Sequence, residues 1–164
     1  YRSAVDDSGF VRDSSGARAS IGLRSKLSSS LDGEIYGGWI YQSYDEARFS
    51  DVSTPDFGGR LVWTPFAGLT VEANAERSVM ETTLVGASGY VQTHASLSFT
   101  QWIRPDLRLN GGIGYYDNEY QDIARRDDVY EAWLGIRRYV SPHVYFGANY
   151  TFTSRDSNDI REDI

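Results

Sequence analysis

The side chains of this sequence that could do chemistry are charged or aromatic, and they recur at every second residue. Arg18, Arg24, Lys26, Arg60, Arg108 and Arg137 fall on one parity of their segments. Asp32, Glu34, Asp56, Glu72, Glu76 and Glu131 share that parity, as do Tyr36, Tyr44, Tyr90, Tyr116 and Tyr145. Such charges facing a water-filled space could select ions or steer acidic sugars. Mixed signs on neighbouring strands also suit a paired network that stiffens a wall, with Arg24 and Lys26 bridging a turn to Asp32 and Glu34. The tyrosines could form a track on which sugar rings stack, or could fill a narrow interior. These alternatives stay open at the level of sequence.

Nucleophilic and metal chemistry find less support. His94 and Ser96 put an imidazole and a hydroxyl two residues apart on one strand face, as in a His-x-Ser pair. No partner acid can be assigned, so no catalytic residue is named and no enzymatic activity is expected. Asp117, Asn118, Glu119 and Asp122 form one oxygen-rich cluster, and Asp156, Asn158 and Asp159 another. Both lack the glycine and ligand spacing of a calcium loop and read as solvated acidic loops. His143, after Pro142, reads as a solvated turn residue. No metal and no cofactor is expected. With no cysteine there is neither a disulfide framework nor a thiolate metal site. A net charge of −7 argues against nucleic acid as a partner.

The elements that must position these groups are strands. From Ala17 to Leu27 the odd positions are mostly apolar and the even ones polar or cationic, a period of two over a length that just crosses a bilayer when tilted. The same alternation predicts strands over 32–44, 56–64, 69–78, 89–102, 107–116, 129–139 and 143–154, with Tyr1–Val5 as the tail of a ninth. Soluble strands usually run about 5–6 residues, which argues against a soluble sandwich. The 164 residues average −0.46 in mean hydropathy, and no apolar run could make a spanning helix. A transmembrane barrel escapes that test, because only alternate residues face lipid.

The unit repeats about every 36–39 residues, enough for two such strands and their links. Its short turns lie at 28–31, 64–68, 103–106 and 140–142, three of them marked by Pro65, Pro105 and Pro142. The long links 6–15, 45–55, 79–88 and 117–128 are acidic and polar. In outer-membrane barrels short turns are periplasmic and long loops extracellular. That orientation puts both chain ends outside, with Arg155 to Ile164 as an opening loop. It predicts a single barrel domain over 1–164 that is a fragment of a longer chain, with about 10–16 strands when complete; a closed eight-stranded barrel is the rival. Trp63, Phe66, Trp102 and Tyr139 are expected in a periplasmic aromatic belt, and Tyr41, Tyr115, Tyr130 and Phe152 in an extracellular one. Arg77, on the lipid parity, is expected to meet a lipid phosphate or to snorkel. The fold expected is thus an all-β, antiparallel up-and-down transmembrane β-barrel of about 8–9 strands in this chain, in a bacterial outer membrane.

Two turn-and-strand units, Leu61-Val-Trp-Thr-Pro-Phe-Ala-Gly-Leu-Thr-Val-Glu-Ala and Trp102-Ile-Arg-Pro-Asp-Leu-Arg-Leu-Asn-Gly-Gly-Ile-Gly-Tyr, carry a resemblance. So does Arg155-Asp-Ser-Asn-Asp after a Tyr-Thr-Phe strand. With these the chain resembles, over most of its length, the outer-membrane β-barrel porins often encoded beside exopolysaccharide biosynthesis genes. The resemblance implies a channel or scaffold linked to polysaccharide export and brings no catalytic residues. A general diffusion porin and a non-conducting adhesion or structural barrel are the alternatives. Partners implied are outer-membrane lipid and lipopolysaccharide, a polysaccharide, and periplasmic export components.

Overall fold

The computed structural model describes residues 14–45, 50–82, 84 and 86–158. The described chain is one eight-stranded sheet in sequence order. Its strands are β1 (Ser14–Ser28), β2 (Leu31–Tyr44), β3 (Val52–Trp63), β4 (Leu69–Glu81), β5 (Gly89–Arg104), β6 (Leu107–Tyr120), β7 (Arg126–Ser141) and β8 (Val144–Ser157). Every neighbouring pair is antiparallel. β1 and β8 do not pair with each other, so the sheet is open and forms an arc of a β-barrel. The expected ninth strand at Tyr1–Val5 and the link at 6–13 lie outside the described residues, as do Asp159 and the end of the chain.

All eight expected strands are present, but they are longer than the alternation suggested. β6 continues to Tyr120 and β7 begins at Arg126, so most of the expected 117–128 loop is ladder. Asp117 faces Asp128, Asn118 faces Asp127 and Glu119 faces Arg126. Arg126 holds this extension together by ion pairs to Asp117 at 2.7 Å and Glu119 at 3.5 Å. In the same way β3 starts at Val52, β4 continues to Glu81 and β8 continues to Ser157, where a loop was expected. Polar residues continue a ladder as well as apolar ones do, because the backbone makes the bonds.

The short turns fall where expected. Three of them close beside a register shift, at Lys26/Ser28, Trp102/Arg104 and Tyr139/Ser141. The fourth runs through Gly68, whose φ of 90° suits glycine. Each of the first three turns is tied to the next hairpin by a backbone bond: Thr64 to Ser30, Trp102 to Gly68 and Tyr139 to Asp106, at 2.7, 2.7 and 2.8 Å.

One seam breaks the regular pattern. The β3–β4 ladder ends at Phe57–Arg77, although both strands continue above it. There Tyr44 and Val52 pack on Val91, with Val79 beside them, in a small buried apolar cluster. Tyr44 and Val52 lie on the parity of Glu34 and Arg60, whereas Val91 and Val79 lie on the opposite parity. The top of the β2–β3 hairpin therefore overlaps that of β4–β5 face to face instead of edge to edge. Arg77 spans the joint, donating to Thr54 at 3.5 Å and to Thr93 at 2.8 Å.

Candidate pore-lining face

Residues opposite each other in an antiparallel ladder project on the same side, so the register fixes the faces. One row reads Arg24, Glu34, Arg60, Asn74, Ser96, Gly114, Glu131, Thr153. The next row over reads Ser25, Gly33, Leu61, Ala73, Leu97, Ile113, Ala132, Phe152. The sheet thus has a polar and an apolar face, continuous across all eight strands. Every charged and tyrosine residue that the sequence assigned to the polar parity falls on the polar face.

The β1–β4 half of that face is a paired network. Asp56 is 1% exposed and takes two bonds from Arg18, at 2.6 Å from Nε and 2.8 Å from Nη2. Arg60 donates to Glu72 at 2.7 Å, and Asn74 donates to the other Glu72 oxygen at 2.9 Å. Arg24 faces Glu34 at 3.7 Å, the cross-turn pair expected. Lys26 lies opposite Asp32 but forms no ion pair among the described residues. Tyr36 lies flat over Gly58, where an added Cβ would collide with its ring, and Arg18 sits 5.5 Å from the ring centre. A hollow of ≈ 200 Å³ remains between Glu34, Tyr36, Arg60, Asn74 and Glu76.

In the middle of the face His94 stacks on Tyr116 with ring centres 4.3 Å apart. Glu76 is the acid the sequence could not name, but it stands 3.9 Å from His94 Nδ1, beyond hydrogen-bond range. His94 Nε2 is buried with no hydrogen-bond partner. Among the described residues no Glu–His–Ser relay is assembled.

The β5–β8 half differs in kind. Its turn end carries Trp102, Arg108, Arg137, Tyr139 and Tyr145 on the polar parity. This corrects the expectation that Trp102 and Tyr139 belong to a lipid-facing belt. Trp102 shares the parity of Ser96 and Ser98, and Tyr139 that of Glu131 and Arg137; only their closeness to the turns suggested a belt. Trp133 was missed altogether, although it alternates with Glu131. It covers Gly112, whose missing side chain leaves room for the indole. Trp63, Tyr41, Tyr115 and Tyr130 do lie on the apolar face.

Arg77 also departs from expectation. Its row on the apolar face reads Ile21, Gly37, Phe57, Arg77, Thr93, Asp117, Asp128, Asp156. Arg77 pairs with Glu119 at 3.4 Å besides its threonine contacts, so protein groups take the place of a lipid phosphate. The oxygen-rich clusters are engaged too. Asp117 and Glu119 hold Arg126. Asn118 accepts from Gln92 at 2.9 Å. Asp122 accepts from the Ser50 N–H at 3.2 Å. Desolvation works against the Asp122 carboxylate, but hydrogen bonding, including that of the Ser50 N–H, outweighs it and holds its pKa below the usual value.

Residues 1–164 match the family model described as "Putative beta-barrel porin 2". No curated protein matches, and no solved structure does.

Proposed function

This chain belongs to that β-barrel porin family, and on that premise we propose that it forms the wall of a passive channel in a bacterial outer membrane, serving the export of an exopolysaccharide. The observation that carries the reading is the separation of faces. On β6 the apolar parity runs Leu107, Leu109, Gly111, Ile113, Tyr115 and turns charged at Asp117. Nine residues cover ~27 Å along a strand, or about 20 Å of height at barrel tilt, close to the ~25 Å apolar band of outer-membrane barrels. The band is staggered, as tilted strands require. On β1 apolar residues reach Ala17, whereas Phe152, the last one on β8, lies in the row of Ser25.

Within such a wall the polar face lines the passage. A passive channel needs no catalytic group, and we assign none. The linkage to exopolysaccharide rests on the sequence resemblance and on exposed rings of the polar face, Trp102 and Tyr145 among them. The dense pairing on β1–β4 favours a second reading, a stiff non-conducting scaffold. Planar-bilayer recordings of the full-length chain separate the two. Stepwise conductance is expected. A folded, inserted barrel that passes no current would remove the channel and leave the scaffold.

A further inference from the structure

We infer that the turn-end half of the polar face on β5–β8 is a binding site for an anionic sugar chain. The inference rests on the channel reading and names the class of its cargo. Three observations point there together.

The first is charge. Arg108 and Arg137 face each other across β6 and β7. Neither forms an ion pair among the described residues, and Arg108 Nε is buried with no hydrogen-bond partner. Up to the row of Glu131 the strands of this half present no other carboxylate on their polar parity, and Asp106 in the β5–β6 turn is held by Arg104 and Arg138 at 3.4 and 3.5 Å. The β1–β4 half, by contrast, sets Arg18, Arg24 and Arg60 against Asp56, Glu34 and Glu72. In a chain of net charge −7, Arg108 and Arg137 are left without a carboxylate beside the rings, whereas on β1–β4 only Lys26 among the polar-face cations lacks an ion pair among the described residues.

The second is ring geometry. Trp102 stacks with Tyr139 at 5.6 Å between centres, and Tyr139 meets Tyr145 at 5.7 Å. Trp102 is 40% and Tyr145 51% exposed, so the platform is open. Arg108 lies 5.9 Å from the Trp102 ring centre and Arg137 4.2 Å from that of Tyr145. Cation–π contact holds each guanidinium against a ring while its N–H fork can still take a carboxylate. The carbon-bearing face of a sugar ring is apolar and stacks on an aromatic face, and its acid group would then reach the neighbouring fork.

The third is the row above. Asn110 and Asn149 flank Gly135, which has no side chain to stand between them. Their amides offer donors and acceptors suited to hydroxyls. Neighbouring strands are ~4.8 Å apart, so rings, forks and amides recur at about the length of one sugar unit.

The test is calorimetric titration of the folded full-length chain in detergent with trigalacturonate, with maltotriose and inorganic phosphate as comparison arms. Trigalacturonate is expected to bind well above maltotriose. The pair Arg108→Gln with Arg137→Gln should weaken it about tenfold or more, the cost of losing charge-assisted bonds, while Arg24→Gln on the paired half leaves it unchanged. If the double variant fails to fold, Arg108→Lys with Arg137→Lys keeps the charge and removes the fork, and a partial loss is expected. Equal binding of acidic and neutral trisaccharides overturns the inference. So does phosphate binding as tightly as the sugar, which would mean a bare anion site, or an unchanged affinity in the arginine variants. Conductance without sugar binding removes the site and keeps the channel; binding without conductance removes the channel and keeps the site.

Discussion

Replacing Arg18 by glutamine should be among the most damaging single changes on the polar face. The Asp56 side chain has no exposure, and Arg18 supplies both of its short bonds. Asp56 also stands one residue above the last rung of the β3–β4 ladder, so no β4 backbone partner steadies it. Removing one partner of a fully buried pair costs about 3–5 kcal/mol. Arg18 is half exposed, and solvent screens its end of the pair, so an expected loss of ~2 kcal/mol is reasonable, or ~30-fold in the folding constant. Asp56→Asn should cost less, about 1 kcal/mol, because the half-exposed guanidinium can hydrate once its partner is neutral. The order is the signature: the buried carboxylate left alone is worse than the exposed cation left alone. Urea unfolding in detergent, followed by tryptophan fluorescence and by heat-dependent gel mobility, measures both variants and the double mutant. The cycle should give a coupling of about 1–2 kcal/mol. Arg18→Gln within ~0.5 kcal/mol of wild type, or Asp56→Asn the costlier of the two, would refute the reasoning.

Two adjacent glycines should respond oppositely. Gly38→Ala puts a Cβ 2.6 Å from Ser20 Cα and against the Ala19 carbonyl, whereas nothing lies within 4 Å at Gly37. Gly38→Ala should lose about 1–3 kcal/mol and Gly37→Ala stay within ~0.5 kcal/mol, by urea midpoint. Ile113→Lys on the apolar face should cost ~2–4 kcal/mol in bilayers, while Ser96→Lys on the polar face is tolerated; equal tolerance would contradict a lipid-facing surface. The Asp122 pKa is held below its ordinary 3.8, so its stabilising contribution is present above about pH 4 and lost as pH falls through the folded value. Exchange of the Ser50 amide, which bonds to Asp122, should accelerate over that range. Asp122→Asn should remove the dependence, and asparagine suits the φ of 65° found there.

Much of this protein was legible in order along the chain. Period-two alternation locates strands because the pleat sends successive side chains to opposite faces, and prolines mark turns because a turn needs no N–H there. The strand ends above the apolar band were less legible. Asp117, Glu119 and Arg126 look like a loop until cross-strand ion pairs make them a ladder. Trp102 and Tyr139 lie beside turns, where an interface belt is expected, yet their parity puts them on the polar face.

The number and order of the described strands, the side chains that share a face, and the apolar character of one face can all be read along the chain. These follow from local periodicity and from hairpins that join neighbours in sequence. Which charges meet is set by the folded sheet. Arg18 reaches Asp56 two strands away, not a residue on its own hairpin. It also decided that Arg108 and Arg137 find rings instead of acids, and that β3 and β4 part above Phe57 and Arg77. Strand register, side-chain reach and the overlap of two hairpins depend on residues far apart in the chain, and no local pattern encodes them.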